Sequence, residues 1–115
     1  MIRQGEIYLV NFGKKYNSEL GKVRPAVIIQ NNFLNKFVQE SAFKNVLVIP
    51  LTTRDIETEY KVSIRKRDKL LQDSYIITNW ICALDLTHIL TDKGVLTKLT
   101  ENELQMLKKR ICALM

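Results

Sequence analysis

The chain has 115 residues, 46 % of them hydrophobic, with a formal charge of +6 and a pI near 9.4. That length supports one domain with a modest core, and the positive charge fits a polyanionic partner such as nucleic acid. MIRQGEIYLV is too short and too polar for a signal peptide, and no apolar run approaches the length of a membrane span, so a soluble cytoplasmic protein is expected.

In chain order, Glu6–Phe12 (EIYLVNF) is a β-rich run reached through Gly5. The segment 13–22 (GKKYNSELGK) lacks an apolar period and contains two glycines, which predicts a flexible basic loop. Pro25–Gln30 (PAVIIQ) and Asn45–Leu51 (NVLVIPL) are continuous apolar runs, as in strands buried on both faces. Pro50 in the second run predicts an edge or a bulge. Between them, Asn31–Phe43 reads as a loop with one helical turn.

Tyr60–Ile64 (YKVSI) alternates, so one face is wet. A charged turn region, Arg65–Asp73, leads to one long strand, Ser74–Leu84, with polar interruptions at Thr78 and Asn79. Leu86–Leu90 reads as a further strand, followed by a turn at Asp92–Gly94. Thr100 and Glu103 have capping-box spacing, and Leu104, Leu107, Ile111 and Leu114 recur at helical spacing. Short strands with one terminal amphipathic helix predict a mainly β protein, a small curled sheet or barrel with the helix packed on it.

Much chemistry is absent from the sequence. One histidine, His88 in LTHIL, excludes a two-histidine nuclease and reads as structural or surface. Phosphate-loop and nucleophile-elbow motifs are missing. Cys82 and Cys112, in WICAL and RICAL, form no CxxC and read as buried free thiols. Asp55, Glu57 and Glu59 alternate, and would share a face in a strand, but read as a solvated loop. Neither a metal nor a cofactor is expected.

A polar set remains at strand ends: Arg24, Thr52, Thr53 and Asn79, with Ser18, Glu19 and Lys22 in the loop. Arginine presents a planar fork of donors suited to phosphate, and threonine can donate to a second phosphate oxygen. The competing reading of an arginine before a strand is a surface ion pair.

Gly5-Glu6-Ile7-Tyr8, then Ser18-Glu19-x-Gly21-x-Val23-Arg24-Pro25 and AVIIQNN, resemble the opening of the MazF/PemK/Kid family of toxin ribonucleases. Pro50-Leu51-Thr52-Thr53, YKVSI, Ser74-Tyr75-Ile76, Ala83-Leu84-Asp85 and the terminal helix continue that family's order. The resemblance implies a single SH3-like β-barrel domain, 1–115, that forms a homodimer. It implies the toxin of a type II toxin–antitoxin system, cutting single-stranded RNA without a metal. The RNA's 2′-OH would attack, leaving a 2′,3′-cyclic phosphate and a 5′-OH. The implied partner is an acidic antitoxin whose tail competes with RNA for the positive surface.

Carried over residue by residue, the catalytic arginine falls on Arg24 and the threonine on Thr52, with Thr53 alongside. Lys14, Lys15 and Lys22 read as phosphate contacts or as solvated charges, and Trp80 as a base-stacking residue or as a core or dimer-interface tryptophan. Two departures stand out: many members carry an acidic residue at the position of Asn79, and a basic residue followed by Ser or Thr at Cys82-Ala83. An amide cannot act as a base, and a thiol does not neutralise a phosphate. The alternative is therefore a weak or inactive module of the same fold that binds RNA or antitoxin without cutting.

Overall fold

The computed structural model describes residues 1–13 and 23–115. Among these residues seven antiparallel strands form a curled, half-barrel sheet: β1 (Glu6–Asn11), β2 (Val23–Ile28), β3 (Asn45–Thr52), β4 (Lys61–Ile64), β5 (Ser74–Ile77), β6 (Cys82–Asp85) and β7 (Val95–Lys98). Their order is β4-β5-β3-β2-β1-β7, with β6 also on β3. Helix α1 (Asn32–Glu40) joins β2 to β3, and α2 (Glu101–Cys112) follows β7. The mainly β architecture with a C-terminal helix is as expected.

The apolar runs of β2 and β3 are continuous because both faces of the sheet centre are buried. Tyr8, Val10, Ala26, Ile28, Val46 and Val48 pack on one side with Val38 of α1. Ile7, Val27, Ile49 and Leu51 pack on the other with Leu107 of α2. Pro50 is not at an edge, contrary to expectation. It lies opposite Ala26 of β2 in the middle of the sheet. Ile29 N donates to Leu47 O at 3.1 Å, which makes that pair hydrogen-bonded. Pairs alternate along an antiparallel ladder, so Ala26–Pro50 is a non-hydrogen-bonded pair. The nitrogen of Pro50 therefore faces away from β2. There β3 changes partner, from β6 over Asn45–Val48 to β5 over Leu51–Thr52. The missing N–H falls in that gap, which is how a central strand tolerates the ring.

Helix α1 replaces the expected loop with one turn. Asn31 caps it, its side chain accepting from Leu34 N at 2.9 Å. Its amphipathic pattern is inverted: Phe33 is 81 % and Phe37 53 % exposed, while Asn35 is fully buried. Asn35 is satisfied by Gln30, donating to its carbonyl at 2.9 Å and accepting from its amide at 3.2 Å. Phe33, Leu34, Phe37 and Val38 do recur at helical spacing, but of these only Val38 is buried, and the hydrogen-bonded amide of Asn35 shares its face.

The long strand expected over Ser74–Leu84 is broken. Thr78 sends both its N–H and its hydroxyl to Tyr60 O, at 2.9 and 2.8 Å. The chain then makes a 3-10 turn, Thr78–Trp80, before β6 begins. Leu86–His88 is likewise a 3-10 turn rather than a strand, with only Ile89 bridging to Val10. His88 Nδ1 lies 2.9 Å from Asn11 O, at the surface. Asp55, Glu57 and Glu59 sit on the irregular connection between β3 and β4. Strand β7 was not anticipated; its consecutive residues Leu96 and Thr97, which point to opposite faces, are both buried at the sheet edge beside β1.

The capping box is present at Thr100 and Glu103. Glu103 also receives Arg67 in a two-pronged bond, Nη1 to Oε2 at 2.9 Å and Nη2 to Oε1 at 2.6 Å. Arg67 further reaches Thr97 Oγ1 and Lys98 O, so one guanidinium ties the β4–β5 connection to β7 and α2. Cys112 is exposed rather than buried. Cys82 is half-buried, and burial raises its thiol pKa.

Two stability predictions follow from these polar anchors. Replacing Asn35 with Ala leaves the Gln30 groups unpaired and should lower unfolding stability by about 1–3 kcal/mol in denaturant titration. Burial opposes ionisation of Glu103, but Arg67 and the Thr100 N–H outweigh it, and its pKa lies below the ordinary 4.5. A depressed carboxylate contributes stability above its unfolded pKa and loses it as pH falls through the folded value. Arg67→Ala should therefore lower stability by about 1–3 kcal/mol at pH 7. The gap from wild type should close in acid, as Glu103 protonates in both proteins.

Candidate functional site

Arg24 and Thr52 come from adjacent strands. Continuing the β2–β3 register from Ala26–Pro50 by two residues sets Arg24 opposite Thr52. The ladder itself ends at Ala26–Pro50, and Arg24 and Thr52 meet as linings of the cleft just beyond it. The intervening residues, Pro25 and Leu51, would form the hydrogen-bonded pair. Pro25 has no N–H, so the carbonyl of Leu51 lacks its ladder donor. Arg24 supplies the substitute: Nη1 donates to Leu51 O at 3.2 Å. The proline thus leaves vacant an acceptor that holds the preceding residue's guanidinium at the end of the strand. Arg24 is half-buried, and desolvation lowers its pKa. Arginine starts so high that it stays charged at neutral pH.

Thr52 is buried, at 6 % exposure. Its Oγ1 accepts from Arg54 N at 3.1 Å across a tight turn. A hydroxyl that accepts in this way keeps its proton to donate. Arg24, Thr52, Thr53, Arg54 and Trp80 line one cleft of about 200 Å³, floored by Pro25 and Leu51. Trp80 reaches it from the 3-10 turn that interrupts the sheet.

Of the residues expected at the site, the structure therefore gathers Arg24, Thr52, Thr53 and Trp80. Asn79 is exposed on the same turn as Trp80 but does not line the cleft. Ser18, Glu19, Lys14, Lys15 and Lys22 lie outside the described residues. Cys82 packs against the core on the α1 side. Arg54 was missed by sequence reasoning. Its position, directly after a Thr-Thr strand end, was the available clue.

Such a cleft can hold an anionic group between a charged fork and a hydroxyl donor, beside an aromatic wall. The arrangement defines a small curled β protein with a polar cleft at adjoining strand ends. A family model described as PemK-like, MazF-like toxin of type II toxin-antitoxin system matches residues 3–115, and the chain belongs to that family. The fold is similar to a mycobacterial endoribonuclease in complex with its cognate antitoxin, at 18 % identity and TM-score 0.74, over 98 % of this chain and 93 % of that one. It is also similar to the Mycobacterium tuberculosis toxin MazF-mt6, at 17 % identity and TM-score 0.73, over 94 % and 93 %. A MazE–MazF structure from Deinococcus radiodurans matches at 15 % identity and TM-score 0.71, over 98 % and 93 %.

The role of Pro25 is testable. In Pro25→Ala a backbone N–H at that position should take Leu51 O and release the guanidinium. The new hydrogen bond, worth about 0.5–1.5 kcal/mol, opposes the looser unfolded chain, about 0.4–1 kcal/mol. The thermal midpoint should therefore move little. Amide exchange should show protection at position 25, and NMR should show a changed environment for the Arg24 Nη1 that donates to Leu51 O in the wild type.

Proposed function

We propose that this chain is the toxin of a type II toxin–antitoxin system and cuts single-stranded RNA by a metal-independent route. The observation that carries the reading is the pairing of Arg24 with Thr52 at one strand end. Arg24 is anchored through Leu51 O, and the hydroxyl of Thr52 is oriented by Arg54 N. In the reaction the RNA 2′-oxygen forms a bond to phosphorus and loses its proton, while the bond from phosphorus to the 5′-oxygen breaks. The products are a 2′,3′-cyclic phosphate and a 5′-OH. Negative charge accumulates on the phosphoryl oxygens. Arg24 and Thr52 meet that charge as preorganised donors, and the reading assigns them charge stabilisation rather than proton transfer.

The remaining expected roles belong to the same reading. Thr53 and Trp80 line the cleft and would contact the nucleotide, Trp80 by stacking on a base. Asn79, on the adjacent turn, would contact RNA outside the cleft, and Ser18, Glu19, Lys14, Lys15 and Lys22 would also contact RNA. The protein would act in the cytoplasm as a homodimer, held inactive by an acidic cognate antitoxin. The mycobacterial and Deinococcus relatives in complex with an antitoxin support that partner. Among the described residues no helix is long and apolar enough to cross a membrane.

A second reading, binding without cutting, is favoured by one observation. Asn79 carries no charge, and Cys82 is turned into the core. Incubation of purified protein with single-stranded RNA in EDTA separates the two. Cleavage with cyclic-phosphate ends is expected, and Arg24→Ala should lower its rate by about 10²–10³-fold or more. Thr52→Val should lower it less. Intact RNA with salt-sensitive binding would instead establish the binding module. Products that require a divalent metal would refute the mechanism.

A further inference from the structure

We propose that Arg54 is a second phosphate-binding cation of the cleft, holding the phosphate that neighbours the one on Arg24 and Thr52. This role rests on the RNA reading above and extends it to a residue with no assigned part. Three observations carry it. Arg54 is exposed and lines the same cleft as Arg24, and among the described residues no carboxylate contributes to that lining. The adjacent acid, Asp55, is engaged elsewhere, in an ion pair with Lys61. Among the described residues, the ion pairs are Lys61–Asp55, Arg67–Glu103 and Lys98–Glu6, and Arg54 takes part in none.

The backbone explains why the residue sits there. The Arg54 N–H donates to Thr52 Oγ1, so the turn that orients the threonine hydroxyl also fixes where the Arg54 side chain leaves the chain. Orientation of the first phosphate ligand and placement of the second are then one structural event. An arginine fork with no counter-ion among the described residues, beside an aromatic wall, matches a phosphate followed by a base. A strand of nucleic acid supplies both at every step, whereas a single phosphorylated metabolite supplies the phosphate but not the succession.

The test uses the full-length protein and a mixed-sequence 2′-O-methyl RNA oligonucleotide, whose blocked 2′-oxygen cannot attack. Binding is titrated over a range of salt concentrations. Arg54→Gln should weaken affinity about tenfold and reduce the slope of log affinity against log salt by about 0.7, the share of one phosphate contact on a single strand. Arg54→Lys should restore the slope and recover only part of the affinity, because lysine lacks the planar fork. Lys36→Gln, which removes a positive charge from α1 outside the cleft, should leave affinity nearly unchanged. The thermal midpoint of Arg54→Gln should match wild type, since the side chain is exposed and the backbone bond to Thr52 remains.

The role is overturned if Arg54→Gln keeps wild-type affinity and slope, if Lys36→Gln weakens binding equally, or if Arg54→Lys fails to restore the slope. Wild-type protein that neither binds this probe nor cuts unmodified RNA overturns the RNA reading itself, and the role with it. Wild-type protein that cuts RNA, with Arg54→Gln cutting at the same KM and kcat, overturns the role alone.

Discussion

The site depends on one missing hydrogen bond. Pro25 cannot donate to Leu51 O, and the register leaves that carbonyl facing the end of β2. An unpaired carbonyl on a buried residue such as Leu51 is costly to leave unsatisfied. The guanidinium of Arg24 is the donor that reaches it. Two consequences follow from a single imino acid. The β2–β3 ladder stops at Ala26–Pro50, opening space between the strand ends, and the arginine bordering that space is tethered rather than free to swing.

The same logic recurs at the other proline. Pro50 places its absent donor where β3 exchanges β6 for β5. That exchange needs the chain to leave the sheet between β5 and β6, which Thr78 arranges by bonding twice to Tyr60 O. The resulting turn carries Trp80 to the cleft. The aromatic wall and the tethered arginine are thus products of two interruptions in one ladder. Around them the sheet is rigid because both of its central faces are buried, and Arg67 clamps the remaining edge to α2.

Much of the fold was legible where the buried face is apolar and periodic. EIYLVN, PAVI and NVLVIPLT read as strands because each carries an unbroken apolar run where the sheet centre is buried. The terminal helix was legible from its capping box and leucine spacing. Elements whose burial is polar were not. Helix α1 hides Asn35 and exposes Phe33 and Phe37, so its apolar period points the wrong way. The break at Thr78 depends on a carbonyl 18 residues away, and no local propensity encodes that. Cys82 and Cys112 sit in similar short motifs, yet only Cys82 is half-buried, because what lies across from each is set by other strands and not by its neighbours.

By itself the sequence determined which residue types stand at the strand ends, an arginine before a proline and a threonine pair after one, and with them the family to which the chain belongs. Local order along the chain suffices for that, since each motif is contiguous. Only the tertiary structure decided which residues meet. The antiparallel register brings Arg24 opposite Thr52, the turn after Thr52 adds Arg54, and the broken strand adds Trp80 while directing Cys82 inward. Register and partner exchange are properties of pairs of strands, fixed by where hydrogen-bond donors are present and where proline removes them.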